Sequence, residues 1–154
     1  MKIPAAQLLI FQLMIYFFSA CGSQSSDFPS RKDLNNPLPP CPESPNCVRL
    51  TEQYPASVDA TWEIALKILQ AMKPYNIELT PDTYRIDAIF MVVFFQDDLT
   101  LQLEEAENNN TYLHIRSASR VGHSDFGVNR RRVRHLLQQM ENRLVEADNN
   151  EARE

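Results

Sequence analysis

Glycine is scarce in this chain. Three glycines stand against ten prolines in 154 residues, which makes for stiff connections rather than flexible ones. No G-x-S-x-G elbow is present, so the usual seat of an α/β-hydrolase nucleophile is excluded. Histidine is equally rare at three, and His114, His123, Asp97 and Asp98 lack the spacing of a metal site. No metal and no cofactor is therefore expected. Positive charge is also in deficit, with a formal net charge of -5. An acidic chain is a poor general binder of nucleic acid, although a local basic patch can still act. Long apolar runs are missing too. A membrane span needs about 20 apolar residues, and Gln7 and Gln12 interrupt the apolar stretch at the N-terminus. The length suits one compact domain.

What is present begins with an address. Lys2 precedes a run from Leu8 to Phe18 rich in Leu, Ile, Phe and Met, followed by the small residues Ser19 and Ala20. A charged start, an apolar centre and a small-residue cleavage site define a signal peptide over residues 1–20, which is excluded from the fold. Phe18-Ser19-Ala20-Cys21 resembles a bacterial lipobox, in which the cysteine is lipidated and becomes the new N-terminus. Gly22, where an Asp is absent, resembles the pattern sent to the outer membrane. The resemblance implies an exported lipoprotein on the periplasmic face of the outer membrane, held by acyl chains on Cys21. An ordinary secretory signal with an unrelated cysteine is the other reading. Residues 21–40 are rich in Ser, Asn, Asp and Pro and read as a tether. Stretched out, it reaches roughly 60 Å.

Cys41 and Cys47 enclose Pro-Glu-Ser-Pro-Asn, all suited to turns. In an exported protein the spacing indicates a disulfide closing a small loop, worth about 2–3 kcal/mol. A redox pair usually has C-x-x-C spacing, and a zinc site needs more ligands than this region offers.

The body spans 41–147, with 148–154 as a frayed tail. Ser57 is placed to cap a helix in which Trp62, Ala65, Leu66, Leu69 and Met72 make one apolar stripe, and Pro74 stops it. The period then changes to two. Ile77 and Leu79 suggest a short strand, and Tyr84, Ile86, Ala88 and Phe90 alternate with Arg85 and Asp87 before an apolar run from Met91 to Phe95. Leu99, Leu101 and Leu103 alternate with Thr100, Gln102 and Glu104, and Leu113 and Ile115 point away from Tyr112, His114 and Arg116. Phe126, Val133, Leu136, Leu137, Met140 and Leu144 mark a long last helix. The expected fold is α+β, a two-layer sandwich of an antiparallel sheet of about four to five strands with two helices on one face. The other face, carrying Thr100, Gln102, His114 and Arg116, is expected to be a shallow open surface.

Three pieces together resemble one family. Pro40-Cys-Pro-Glu-Ser-Pro-Asn-Cys-Val48 looks like its N-terminal signature, and Phe95-Gln-Asp-Asp-Leu99 like its aromatic-x-Asp-Asp-aliphatic turn. Arg116-Ser-Ala-Ser-Arg-Val-Gly-His-Ser-Asp-Phe-Gly-Val-Asn-Arg-Arg-Arg132 looks like its strongest motif. The family is the bacterial and plastid one known as domain of unknown function 1499, and the resemblance spans about residues 38 to 146. It implies a domain boundary and a focus, but no activity.

The focus breaks a local rule. Arg130, Arg131 and Arg132 crowd a helix start, where each cation costs about 0.3–1 kcal/mol, and Arg116 and Arg120 approach from the strand and loop. Compensating anions are expected. In one reading Asp97, Asp98 and Asp125 pair with the arginines and lock the loop, with Ser117, Ser119, Ser124 and Asn129 satisfying backbone groups. In a second, Arg116, Ser117, Ser119, Arg120, Ser124, Asn129 and Arg130 form a site for phosphate or carboxylate. Such a site suits a phospholipid headgroup, an envelope glycan or an acidic envelope protein. A third reading takes Ser117, Ser119 or Ser124 with His123 and Asp125 as a hydrolytic triad, although neighbours on one loop seldom reach that geometry. Geometry assigns Arg116, Arg120, Asn129 and Arg130 to the body of the domain and leaves Arg131, Arg132 and Arg134 facing water. The favoured reading is a non-enzymatic interaction or anion-binding module, with the carboxylates deciding between lock and site.

Overall fold

The structure is a computed structural model that describes residues 35–151. The expected signal peptide, Cys21 and most of the expected tether lie outside the described residues. The elements run β1 (Cys47–Tyr54), α1 (Val58–Ala71), β2 (Asn76–Thr80), β3 (Arg85–Val92), β4 (Phe95–Ala106), β5 (Asn110–Ser119) and α2 (Val128–Glu151), with short 3-10 turns at Pro81–Thr83 and Glu107–Asn109. The strands form one antiparallel sheet of five in the order β1-β5-β4-β3-β2. This is the expected α+β sandwich. Among the described residues no helix is long and apolar enough to cross a membrane.

Strand alternation builds the core. Ile86, Leu99, Leu101, Leu113 and Ile115, all fully buried, point to one face of the sheet. Ala65 and Leu69 of α1 and Val133, Leu136 and Met140 of α2 close over them, also without exposed surface. Ser57 caps α1 as expected, its hydroxyl accepting from the Ala60 N–H at 3.3 Å. In the first turns of that helix Asp59 accepts from the Tyr84 hydroxyl at 2.6 Å, and Trp62 meets the Tyr84 ring edge-on at 5.8 Å. Cys41 and Cys47 form the expected disulfide.

Four features differ from the sequence reading. β1 is an additional strand ahead of the first helix, and it crosses the sheet to pair with β5. The apolar run from Met91 to Phe95 is not one strand: Val92 pairs with Phe95, and Val93–Phe94 make a two-residue turn with Val93 at φ 58. Phe126 stands outside the last helix at φ 52 and is 88 % exposed, so it does not belong to the apolar stripe. The last helix continues to Glu151, into the segment expected to fray, because neither proline nor glycine interrupts it.

Candidate functional site

The focal stretch is divided by the sheet. β5 places Ser117 and Ser119 on the helix-covered face and Arg116 on the opposite, open face, because successive side chains alternate. Residues expected to form one site therefore form two separate constellations.

The first lies under α2. Asp97 is 2 % exposed, accepting from Arg132 Nη2 at 2.8 Å and from the Ser119 hydroxyl at 2.6 Å. Arg132 Nη1 donates to Asn129 Oδ1 at 2.6 Å and to Ser117 Oγ at 3.2 Å, and its guanidinium lies 4.5 Å from the Phe90 ring centre. The Ser117 hydroxyl donates to Asn129 Oδ1. The Asn129 amide nitrogen donates to Ser119 Oγ at 3.0 Å, to the Asn46 carbonyl at 3.2 Å and to Asp125 Oδ2 at 2.9 Å. Asp125 in turn caps the helix start, accepting from the N–H groups of Gly127 at 2.9 Å and Asn129 at 2.7 Å. Burial opposes its charge, but those hydrogen bonds outweigh burial and hold its carboxyl below the usual range. Asn46 ties in the disulfide loop, its amide donating to the Gly122 carbonyl at 2.6 Å while its own carbonyl accepts from the Ser119 N–H at 3.0 Å. This is a lock between strand, loop and helix. Ser117, Ser119, Asn129, Asp97 and Asp125 are committed to it.

Arg132, expected to face water, is the centre of that lock. The signal for it was present: three and four residues on from Asn129 come Arg132 and Val133, then Leu136 and Met140, which is one helical stripe. Asn46 and Phe90 carried no comparable signal. Arg130 is half-buried on α2, while Arg131 is exposed and donates to the Phe126 carbonyl at 2.9 Å. Ser124, also exposed, accepts from the Phe126 N–H. His123 lies exposed on the loop, and the hydrogen bonds described for Ser117, Ser119, Ser124 and Asp125 all run elsewhere. The residues of the hydrolytic reading thus do not form a triad.

The second constellation is on the face without helices, which is less exposed than expected: His114 is buried there and Thr100, Gln102 and Arg116 are half-buried. Asp97 and Asp98, expected in a turn, sit in β4 and point to opposite faces. Asp98 accepts from Arg120 Nη2 at 2.7 Å and from its Nε at 3.0 Å, and Arg120 also donates to Gln96. A cross-strand row runs Glu78, Asp87, Thr100, Arg116, Arg49 from one edge of the sheet to the other. Asp87 is held by Arg85 at 2.6 Å and Thr100 at 2.7 Å. Arg49 donates to the carbonyls of Leu38 at 2.9 Å and Asn36 at 2.5 Å, which seats residues 36–38, expected in the tether, on β1 with Leu38 buried.

Arg116 and His114, neighbours on this face of β5, each keep a buried side-chain nitrogen without a hydrogen-bond partner. Arg116 is half-buried directly opposite Arg49, and its unpartnered atom is Nε. Like charges placed directly opposite on a sheet destabilise it. Beside the guanidinium opens a cavity of about 330 Å³ lined by Pro39, Glu78, Asp87, Asp98, Thr100, Arg116 and Arg120, among others. Next along the strand His114 is 1 % exposed, with Nδ1 2.8 Å from the Thr51 hydroxyl and Nε2 3.5 Å from Glu104. Burial lowers its pKa, and Glu104 opposes this only in part. Among the described residues no group of three or more His, Cys, Asp or Glu side chains gathers to hold a metal.

Comparison with solved structures gives distant fold likenesses. A START superfamily protein from Mycobacterium smegmatis superposes with a TM-score of 0.49 at 11% identity, over 66% of this chain and 98% of that one. The Zhui aromatase/cyclase from Streptomyces sp. R1128 gives 0.38 at 16% identity, over 68% and 88%. A protein from Thermus thermophilus gives 0.36 at 14% identity, over 66% and 98%. No curated protein matches the sequence. The family model described as "Protein of unknown function (DUF1499)" matches residues 37–140, which hold the disulfide loop, both halves of the divided motif and the cavity: the chain belongs to that family.

Proposed function

We propose that this protein is a non-enzymatic binding module of the cell envelope, anchored through lipid on Cys21, whose open sheet face receives an anionic group at Arg116. The observation that carries the reading is the half-buried Arg116 guanidinium, set opposite Arg49, with its Nε unpartnered beside a cavity. Of the carboxylates lining the cavity, Asp98 is engaged by Arg120 and Asp87 by Arg85 and Thr100, and Glu78 lies on the far side of Asp87 in the cross-strand row. An incoming phosphate or carboxylate offsets the like-charge pair and supplies the missing acceptor. A forked guanidinium suits either anion. Phospholipid headgroups, envelope glycans and acidic segments of an envelope protein carry these groups.

Thermal-shift titration of the full chain with inorganic phosphate, glycerol phosphate and a uronic acid tests the site. At least one is expected to raise the melting temperature in the wild type and leave an Arg116→Leu variant unmoved. A shift that survives in the folded variant, or no shift from any of the three, refutes the site. Incorporation of radiolabelled palmitate, lost in Cys21→Ser, tests the anchor.

A further inference from the structure

We propose that the tip of the β3–β4 hairpin and the β5–α2 loop together form a docking surface for a phospholipid bilayer, with Phe94 and Phe126 entering its apolar boundary. Both tips lie at one end of the sheet, joined where the Arg120 N–H donates to the Gln96 carbonyl at 3.0 Å. Phe94 and Phe126 are each 88 % exposed, Val93 78 %, and Phe95 and Val121 more than half. Apolar side chains gathered this openly mark an interaction surface.

The backbone adds an independent observation. Val93 at φ 58 and Phe126 at φ 52 hold left-handed conformations that glycine adopts without strain and a β-branched or bulky residue does not. Each tip therefore carries a strained apolar residue where a small or polar one relaxes the turn, and such strain gathers at functional positions.

Charge separates the two ends. The apolar end carries Arg120, Arg131 and His123 against Glu43, Asp98 and the half-buried Asp125, with Arg120 paired to Asp98 and Arg131 bonded to the Phe126 carbonyl. The opposite end, at the β4–β5 connection, carries Glu104, Glu105 and Glu107, all exposed. Aromatic rings on an end whose charges balance suit the headgroup boundary of a bilayer, and an anionic bilayer surface repels the acidic end. The chain outside the described residues supplies proximity. Its described part starts at residue 35, Asn36 and Leu38 are held by Arg49 on β1, and the tether between them and Cys21 has the length to bring either end of the sheet to a membrane. The proposal rests on the anchored reading for that proximity, and the rim decides which end turns down.

The test uses the full chain reconstituted into phosphatidylethanolamine–phosphatidylglycerol vesicles with brominated acyl chains. Single variants Phe94→Trp, Phe126→Trp and Glu107→Trp report from the two ends, and native Trp62, on the buried side of α1, supplies the unquenched background. Emission from the tryptophans at 94 and 126 is expected to be strongly quenched and that at 107 to be unaffected. Vesicle association with equal quenching at all three positions, or with none at 94 and 126, overturns the docking surface and leaves the anchor intact. A blue shift at 94 and 126 without quenching points to a protein partner or a second copy and also overturns it. Failure to associate with vesicles overturns surface and anchor together. Adding Arg116→Leu to Phe94→Trp is expected to leave the quenching at position 94 unchanged, which separates this surface from the anion site.

Discussion

Removing the Arg132 guanidinium is the sharpest perturbation of the lock. Arg132→Met keeps an unbranched apolar stem over Phe90 but leaves Asp97 buried with only the Ser119 hydroxyl as a described partner. The two side chains are 7% and 3% exposed, and uncovering one member of so buried a pair costs about 3–5 kcal/mol. Asn129 Oδ1 and Ser117 Oγ lose a charged donor at the same time. With a urea dependence of about 1–3 kcal/mol per molar, the unfolding midpoint falls by roughly 2 M. The internal control is Asp98→Asn, which breaks the Arg120 pair at 42% and 41% exposure and is expected to cost no more than about 1 kcal/mol. In the double variant Asp97→Asn/Arg132→Met no charge remains buried, so its cost is expected to fall short of the sum of the singles by about 1–3 kcal/mol. If Arg132→Met costs no more than Asp98→Asn, the lock is not what holds strand to helix and the reasoning fails.

His114 is buried with a lowered pKa. Its neutral form is the folded one, so stability is full above the ordinary histidine pKa and declines as pH falls from there towards the folded value. The slope is at most about 1.4 kcal/mol per pH unit. A carbon-detected NMR titration in which His114 protonates at or above the ordinary value refutes this. Asp125 has a lowered carboxyl pKa, so its contribution is present above the ordinary carboxylate value and is lost as pH falls through the folded one. Asp125→Ala is expected to lose about 1 kcal/mol at neutral pH, with the difference from wild type vanishing in strong acid; a constant difference in urea melts across pH contradicts it. Val93→Gly relieves the positive φ and is expected to stabilise by about 0.5–1 kcal/mol after the added chain entropy. A lowered melting temperature counts against strain at the hairpin tip.

The parts of the fold legible in the sequence were those with clean periodicity. Leu99, Leu101 and Leu103 declare a strand, and Ser57 before an apolar stripe declares a helix start. β1 was harder to read, because only Val48 and Leu50 are apolar on its covered side before Glu52 and Tyr54. Val93 hid the hairpin turn, since a β-branched residue occupies a position where turn chemistry normally writes glycine or asparagine. Phe126 misled for the same reason, its hydrophobicity counting towards a helix that it stands outside. At the site, the residue types were legible and their grouping was not. A motif continuous in sequence is discontinuous in space once it runs along a strand, and the side to which each residue turns is set by pairing with β4 and β1.

That division also ties the two constellations together. β5 lies between β1 and β4, and its last residues are clamped from the covered side by Asp97, Asn129 and Arg132. Ser117 adjoins Arg116 in the chain, so a strand end fixed through Ser117 and Ser119 also fixes where the Arg116 side chain leaves the sheet. On the open side Arg49 is held by the backbone of Asn36 and Leu38. This keeps a second cation beside Arg116, with its Nε and Nη2 donating to those carbonyls. The covered-face lock thus acts as a positioning device for the open-face cation. An arginine that is half-buried, opposite a like charge and fixed in place is costly for the isolated domain, a cost that the proposed anion would remove.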